Sequence, residues 1–224
     1  MPGVSRAVCI LAMAGMAVVS APCGGSGDDP STSASLPAGC EQVAKPPPKH
    51  RELKRPPRTV TRGERLDATV DSSCGRFDIR LDTADFPRTV NSFVYLARKG
   101  FYDDTIFHRI VPHFIVQGGD PLQTGRGGPG YTVTERPPAN STYTLGTVAM
   151  AKTPVEPPGR SGSQFFIVTA ADAGLPSNYA MLGKVSSGLD VVKRIGKLGD
   201  PESGDAGSPL ETVVIRRIVI HGSG

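Results

Sequence analysis

Three short segments of this 224-residue chain hold the side chains that could do chemistry. The first is residues 107–120 (FHRIVPHFIVQGGD), and the second is residues 149–152 (AMAK). The third is residues 161–167 (SGSQFFI), with Leu175 and residues 179–185 (YAMLGKV) following it. Their histidines, glycines and serines raise three candidate chemistries: a metal site, a phosphate loop and a serine nucleophile.

The spacing of these residues argues against all three chemistries. His108 and His113 are five residues apart and would not share a helix face. A metal pair is therefore not expected, and His108 is interpreted as a structural hydrogen-bonding residue. The glycine-rich stretch 125–130 lacks the Lys-Ser/Thr ending of a phosphate loop. Ser161 and Ser163 lie near glycines but not in a Gly-x-Ser-x-Gly motif.

Together and in this order, the segments resemble the cyclophilin-type peptidyl-prolyl isomerases. The resemblance covers about Leu66 to His221, and its most specific parts are residues 107–120 and the Ser-Gln-Phe-Phe core. It implies a mainly β fold, a closed eight-stranded antiparallel barrel capped by two helices. It also implies an enzyme that isomerises X-Pro bonds and binds proline-containing polypeptides.

The same resemblance assigns roles to individual residues. Arg109 matches the catalytic arginine. The substrate-binding positions form an apolar pocket for the proline ring, a pair of amides facing the peptide backbone, and a strip along which the peptide lies. These are matched, in that order, by Phe114, Ile115, Phe166 and Leu175; by Gln117 and Gln164; and by Ala151 and Lys152.

Three positions depart from the family pattern. Lys152 stands where members often have Asn, Gly174 where many carry Trp, and Tyr179 where many carry His. Tyr179 is still expected to contact the substrate. The missing Trp weakens any expectation of tight cyclosporin binding. The arginine and the proline pocket are intact, so we expect the reaction to be retained.

The reaction itself explains why these residue types suffice. An X-Pro bond rotates over a barrier of about 18–20 kcal/mol. No covalent bond is made or broken, so no nucleophile, metal or cofactor is required. A fixed guanidinium can donate to the proline nitrogen once amide resonance is lost, and an apolar pocket can hold the ring still.

Apolar periodicity predicts the elements that position these segments. Residues 66–70 and 77–81 alternate apolar with polar side chains, which predicts two strands joined as a hairpin. Residues 87–98 carry an apolar stripe after an initial proline and end before Gly100, which predicts a helix. Short apolar runs predict further strands, and residues 189–195 predict a second helix. The runs are 114–116, 147–151, 165–168 and 213–220.

The net charge of +4 is concentrated in one segment. Residues 41–66 hold eight basic and three acidic residues together with five prolines, which leaves the rest of the chain at −1. A Pro-rich, charged, aromatic-poor segment is typical of an extended, solvated linker, which we place at residues 23–65 before a domain at 66–222. With no aromatic side chain to stack on bases, nucleic-acid binding is not expected. The composition also excludes a multi-span membrane protein, a coiled coil and a collagen-like fibre.

The N-terminus has the pattern of an export signal. Arg6 precedes an apolar run, residues 7–19, and the predicted signal spans residues 1–22. Cys23 is then the candidate lipidation site of a bacterial lipoprotein, although Ser20 and Pro22 depart from the usual lipobox. Secretion after ordinary cleavage and an uncleaved N-terminal anchor are the alternatives. All three place the protein outside the cytoplasm, in the cell envelope or beyond it.

Export changes the interpretation of the cysteines. Cys9 lies in the signal, and lipidation of Cys23 would leave Cys40 and Cys74 as a pair. In an oxidising compartment we expect these two to form a disulfide between the linker and the first strands. The sequence thus predicts an exported, monomeric isomerase that assists folding. The alternative is a proline-peptide binding module, or envelope adaptor, with little turnover.

Overall fold

The structure is a computed structural model that describes residues 36–222. The predicted signal, the lipidation candidate Cys23 and the first part of the predicted linker lie outside the described residues. Residues 36–222 belong to one compact unit. Among them, no helix combines the length and apolar character that crossing a membrane needs. In the same range, no group of three or more His, Cys, Asp or Glu side chains is placed to hold a metal ion.

The predicted hairpin is confirmed. Strand β1 (Leu66–Ser72) pairs antiparallel with β2 (Gly75–Leu81). In this register Ala68 lies opposite Ile79 and Val70 opposite Phe77, and all four side chains are buried. The apolar alternation therefore placed one face of each strand in the core, as the period of two requires.

Both predicted helices are also present. Helix α1 (Pro87–Arg98) has proline in its first turn, and α2 is Leu189–Gly196. Gly100 follows α1 with a positive φ of 61°. There its N–H donates to the carbonyl of Ala97, and the N–H of Phe101 donates to that of Leu96. This is the Schellman arrangement, which satisfies carbonyls at the helix end and favours glycine at that position.

The remaining strands complete a curled antiparallel sheet. Within residues 36–222, nine strands pair in the order β3-β11-β1-β2-β10-β7-β9-β5-β4, and β6 pairs with β8 separately. The bounds are β3 Thr105–Ile106, β4 Arg109–Val111, β5 Ile115–Gly118, β6 Val133–Thr134, β7 Thr147–Met150, β8 Arg160–Ser161, β9 Phe165–Val168, β10 Met181–Ser187 and β11 Val214–Gly222.

The sheet differs from the expected closed eight-stranded barrel. It has nine strands, and its edge strands β3 and β4 do not pair with each other. Only an isolated bridge between Ile106 and Asp120 links β3 to the chain that leaves β5. The strands near this seam are two to four residues long, too short to sustain a continuous ladder around the opening.

Alternation along the central strands separates the core from the site. In β9, Phe165 and Ile167 belong to the main core, whereas Phe166 and Val168 belong to a second apolar cluster on the opposite face. Phe165 lies among Phe93, Tyr102 and Phe107, with edge-to-face ring contacts at 5.8–6.3 Å between centroids. Packing on both faces makes β9 the structural support of the site.

Residues 41–65, which we call the strap, differ from the solvated linker that the sequence predicted. They contain no helix or strand, but they are hydrogen-bonded along the domain. The Asn91 side chain of α1 accepts from the N–H groups of Thr59 and Val60 and donates to the carbonyl of Pro57. A helix side chain thus satisfies strap backbone groups that have no ladder partner, and these bonds dock the strap on the domain.

The predicted pairing of Cys40 with Cys74 is present. The disulfide joins the segment before the strap to the β1–β2 turn, 34 residues away in sequence. Next to it, the N–H of Glu41 donates to the carbonyl of Ser73 over 2.8 Å. The strap is therefore attached covalently at its first end and runs into β1 at its other end.

Candidate active site

The sheet register aligns the central site residues in one cross-strand row. Arg109 of β4 lies opposite Gln117 of β5, Gln117 opposite Phe166 of β9, and Phe166 opposite Ala149 of β7. Directly opposed residues on one face have Cβ atoms about 4.5–5.5 Å apart. Residues far apart in sequence therefore become neighbours through pairing alone.

A chain of hydrogen bonds connects the polar end of this row. An Arg109 guanidinium nitrogen donates to Oε1 of Gln117 at 3.2 Å, and Nε2 of Gln117 donates to Oε1 of Gln164 at 3.0 Å. Nε2 of Gln164 then donates to the carbonyl of Gly127 at 2.9 Å. Each amide is held in one orientation, so the unused donors of Arg109 keep a fixed direction.

Arg109 is also held from its other side. Its Nε donates to the carbonyl of Asp205 at 3.0 Å, within the 3₁₀ helix Pro201–Ala206, which is kinked at Gly204. Burial lowers the pKa of Arg109, and the Asp205 carboxylate opposes that shift. The sequence reasoning missed this helix, although Asp200 followed by Pro201 is a recognisable start: the Asp200 side chain accepts from the N–H of Glu202.

Beside Arg109 lies an apolar cluster that contains the predicted proline pocket. Phe166 contacts Tyr179 edge-to-face, with 5.4 Å between ring centroids. The loop after β9 supplies Leu175 and Tyr179, strands β5 and β9 supply Ile115 and Phe166, and Phe114 and Ala151 lie immediately before β5 and after β7. All the predicted apolar positions belong to this one cluster, namely Phe114, Ile115, Ala151, Phe166, Leu175 and Tyr179.

Tyr143 supports this pocket by holding Tyr179 in place. The sequence reasoning missed this residue. Its ring is completely buried, 5.8 Å from that of Tyr179. The hydroxyl donates to the carbonyl of Tyr179 at 2.7 Å and accepts from the N–H of Tyr179 at 2.9 Å. Burial raises the pKa of Tyr143, so the hydroxyl stays protonated and able to donate.

Two of the three positions that depart from the family pattern, Lys152 and Gly174, lie at the rim of the pocket in different surroundings. The Lys152 ammonium lies 5.7 Å from the Tyr179 ring centroid and donates to the carbonyls of Thr153 and Glu156. It therefore lies across Tyr179 rather than reaching freely into solvent. Gly174 is exposed, with a φ of 61°, and a Cβ there would have no atom within 4 Å.

Asp120 organises the glycine-rich loop, residues 121–130, that borders the amides. The side chain is fully buried, and its carboxylate accepts from the N–H groups of Leu122, Thr124 and Gly125 at 2.6–2.9 Å. These three charge-assisted hydrogen bonds fix the position of the loop backbone relative to the carboxylate. The sequence reasoning quoted Asp120 within the first segment but gave it no role.

We expect Gly127→Ala to lower kcat/KM for X-Pro isomerisation by about tenfold, because small displacements near a reacting bond are costly. A Cβ at Gly127 would overlap Oδ1 of Asp120 and lie 3.0 Å from Cβ of Leu122. The loop must then shift the carbonyl that holds Gln164. Gly128→Ala is the matched control, because a Cβ there meets nothing within 4 Å. Equal losses in the two variants would contradict this explanation.

His108 does not have the hydrogen-bonding role that the sequence predicted. Both ring nitrogens are buried and, among residues 36–222, have no hydrogen-bond partner. Burial lowers the pKa of His108, the Asp120 carboxylate opposes the shift, and Arg109 adds to it. The neutral imidazole is therefore the form that the folded protein favours.

This gives stability a pH dependence with a definite sign. As pH falls below the ordinary histidine pKa of about 6.5, the unfolded chain takes up a proton that folded His108 resists. The free energy of unfolding should fall through this range, by up to about 1.4 kcal/mol per pH unit from this one group. Urea denaturation of His108→Gln should show a shallower pH slope than wild type. An identical slope in His108→Gln and wild type would contradict the assignment.

Comparisons with known proteins agree with this geometry. Residues 65–220 match the family described as cyclophilin type peptidyl-prolyl cis-trans isomerase/CLD. The chain is 35% identical over 162 residues to a peptidyl-prolyl cis-trans isomerase-like 1 of Emericella nidulans, covering 70% of this chain and 96% of that protein. It is 36% identical over 159 residues to peptidyl-prolyl cis-trans isomerase CYP18-2 of Arabidopsis thaliana, covering 69% and 93%.

Solved structures extend the agreement to the fold. The cyclophilin-type isomerase cgd2_1660 of Cryptosporidium parvum superposes with a TM-score of 0.63 at 29% identity, covering 71% of this chain and 99% of that one. A second structure of that protein, determined in the presence of the dipeptide Ala-Pro, gives 0.62 at 29% identity, covering 70% and 99%. The sheet register, the arginine–amide network and the matched sequence lead to one conclusion: the chain belongs to the family of cyclophilin-type peptidyl-prolyl cis-trans isomerases.

Proposed function

We propose that this chain catalyses cis-trans isomerisation of X-Pro bonds in polypeptides, with Arg109 as the catalytic residue. The observation that carries the proposal is the Arg109 guanidinium, fixed by Gln117 and Asp205 beside an apolar cluster. The cluster is apolar and partly exposed, as a surface that holds a proline ring must be. The two amides, Gln117 and Gln164, lie where a peptide backbone would cross the row.

Catalysis follows from the difference between the planar and the twisted amide. In the planar ground state the proline nitrogen shares its lone pair with the carbonyl and accepts hydrogen bonds poorly. In the twisted state it regains that lone pair, and a guanidinium N–H can donate to it. The interaction exists mainly in the transition state, so it lowers the barrier instead of merely tightening binding. One preorganised donor of this kind contributes about 3–4 kcal/mol.

The apolar pocket contributes by fixing one side of the bond. With the proline ring held against Phe166 and its neighbours, rotation moves the segment that precedes the proline. Partial exclusion of water also strengthens the Arg109 interaction, since charge–dipole energies rise as the local dielectric falls. No step in this scheme transfers a proton or an electron, so none needs a titrating side chain or a bound cofactor.

For the cellular role, we propose a monomeric isomerase that assists folding of exported proteins in a bacterial cell envelope. The support is the signal-like N-terminus with Arg6 and the apolar residues 7–19, together with the Cys40–Cys74 disulfide, because disulfides persist in oxidising compartments. A lipid at Cys23 is the proposed anchor. The relatives named above are fungal and plant proteins, so the proposal rests on this chain's own residues. Metabolic labelling with a radioactive fatty acid, lost in Cys23→Ala, would test the anchor.

The second candidate is a proline-peptide binding module with little turnover. Lys152 lying across Tyr179 is the observation that favours it, because a side chain over the pocket rim could retain a peptide and slow its release. An isomer-exchange assay on an Ala-Pro peptide separates the two functions. Turnover well above the uncatalysed rate supports the enzyme, whereas background turnover with retained peptide binding supports the module.

A further inference from the structure

The strap from Arg51 to Arg62 runs alongside helix α1 and antiparallel to it. Arg51 donates to the carbonyl of Gly100, just after the end of α1. Asn91, in the middle of the helix, bonds three backbone groups of the strap. Nε of Arg62 donates to the carbonyl of Ala84 at 2.7 Å, shortly before the start of α1. The strap thus follows the helix over its whole length, about 18 Å, and the two form one surface.

The helix contributes only positive charge to this surface. Residues 87–99 contain no Asp or Glu, and their charged side chains, all exposed, are Arg88, Arg98 and Lys99. The N–H groups at the start of a helix favour a nearby carboxylate. Here that carboxylate comes from Glu135, directly after β6, which accepts from the N–H groups of Arg88 and Thr89. The basic residues of α1 are therefore not offset by an acidic residue in the helix itself.

The strap adds more positive charge. Between Arg51 and Arg62 it has five basic residues and one acidic residue, Glu52. Its exposed basic side chains are Lys54, Arg55, Arg58 and Arg62. Arg55 and Arg62 each donate to a backbone carbonyl, which positions the guanidinium but is neutral and does not cancel its charge. Residues 51–62 and 87–99, which we call the strap–helix surface, hold eight basic residues and one acidic residue, a net charge of +7 in a chain of net charge +4.

Acidic side chains flank the two ends of the strap–helix surface. Asp85 precedes α1, and Asp103 and Asp104 follow it. Asp104 pairs with Lys49 of the strap at 3.0 Å. An anionic partner would therefore be attracted along the helix and repelled beyond its ends, which limits where it can dock.

A membrane that contains anionic lipids is the partner that this surface fits best. Such a membrane is an extended layer of negative charge that attracts each Lys or Arg near it. No aromatic side chain is exposed in residues 51–62 and 87–99, whereas proteins that bind single-stranded nucleic acids stack bases on aromatic rings. The lipid proposed at Cys23 would be attached only 28 residues before Arg51. A lipid and a basic patch together make a stable membrane anchor.

We propose that the strap–helix surface binds the anionic headgroups of a phospholipid membrane and orients the domain on it. Helix α1 packs on the face of β9 opposite the candidate site. Its Phe93 contacts Phe165 edge-to-face, with 5.9 Å between ring centroids, whereas Phe166 belongs to the apolar cluster beside Arg109. A domain bound through this surface keeps the candidate site accessible to peptides. The proposal goes beyond the isomerase function and does not depend on it.

The test measures co-sedimentation of the full chain with vesicles of phosphatidylglycerol mixed with phosphatidylcholine, and with vesicles of phosphatidylcholine alone. Because the apolar residues 7–19 would add affinity for both kinds of vesicle, the measured quantity is the ratio of the two affinities. With three of the eight basic residues at the membrane at one time, this ratio should be about 10²-fold at low ionic strength. It should fall towards one as added salt screens the charges.

The double variant Lys54→Glu/Arg98→Glu reverses one exposed charge on the strap and one on the helix, and it should lower the ratio about tenfold. The matched control is Lys193→Glu/Lys197→Glu, which makes the same charge change at exposed residues in and directly after α2 and should have a much smaller effect. Thermal melts check that both variants are folded.

Equal affinities of the wild-type chain for the two kinds of vesicle would overturn the proposal. So would equal effects of the two double variants, because the attraction would then come from the net charge of the chain and not from this surface. Fluorescence anisotropy with a short DNA duplex and a short single strand tests the other anionic partner. DNA binding that is lost in Lys54→Glu/Arg98→Glu, without a preference for anionic vesicles, would assign the surface to nucleic acid and would also overturn the proposal.

Discussion

Replacing Arg109 by alanine should lower kcat/KM for X-Pro isomerisation by about 10²–10³-fold, the effect of removing one preorganised donor from a transition state. The variant loses the guanidinium that bonds Gln117 and the Asp205 carbonyl. The loss should appear mainly in kcat, since the apolar cluster that binds the proline ring is untouched. Isomer-exchange NMR or a coupled protease assay on an Ala-Pro peptide measures it directly.

Two further variants make this prediction specific. Arg109→Lys keeps the positive charge but lacks the rigid planar guanidinium that bonds both Gln117 and the Asp205 carbonyl, so it should recover only a small part of the activity. Arg136→Ala removes an exposed arginine outside the site and should retain full activity. Thermal melts should show all three variants folded. Wild-type rates in a folded Arg109→Ala protein would contradict the catalytic assignment.

Removing the Cys40–Cys74 disulfide should lower the free energy of unfolding by about 3–4 kcal/mol, from the chain entropy of a loop of this length. The two cysteines are 34 residues apart. In a domain of this size the loss corresponds to a fall in Tm of about 10 °C. Urea denaturation of Cys40→Ala/Cys74→Ala against wild type measures the change.

Cys74 is 1% exposed, so part of the loss in the variant could come from packing. Wild-type protein denatured with and without reductant separates the two contributions, because reduction removes the cross-link and keeps the sulfur atoms. The strap should also become susceptible to trypsin after Arg58 and Arg62 once the disulfide is reduced. Unchanged stability and unchanged cleavage on reduction would show that the strap's hydrogen bonds hold it without the disulfide.

Local sequence patterns were sufficient to predict the β1–β2 hairpin and helix α1. The hairpin of β1 and β2 follows from apolar alternation, and α1 follows from an apolar stripe with Pro87 at its start and Gly100 at its end. The closure of the sheet was predicted wrongly. Whether β3 and β4 pair depends on the length and curvature of the strands next to them. Neither property can be deduced from the pattern of apolar and polar residues.

For the strap, the sequence predicted the local conformation but not the contacts with the domain. Its prolines and charges predict an extended chain, and that part is correct. Its docking depends on partners elsewhere in the sequence, including Asn91 in α1 and the carbonyls of Pro121 and Pro129. A side-chain amide in a helix carries no signal that it will bind a backbone some thirty residues earlier in the chain.

By itself, the sequence determined the family, the main elements and the residue types of the site, because motif order and periodicity are properties of the chain alone. Only the tertiary structure decided how Arg109 is aimed, since its partners come from Gln117 and from the 3₁₀ helix at Pro201–Ala206. It also decided that Tyr143 holds Tyr179 and that the strap borders a cavity next to the two site amides. The same physical reason applies to Arg109, to Tyr143 and to the strap. The direction of a hydrogen bond and the burial of a side chain depend on which distant segments come into contact, and strand register determines those contacts.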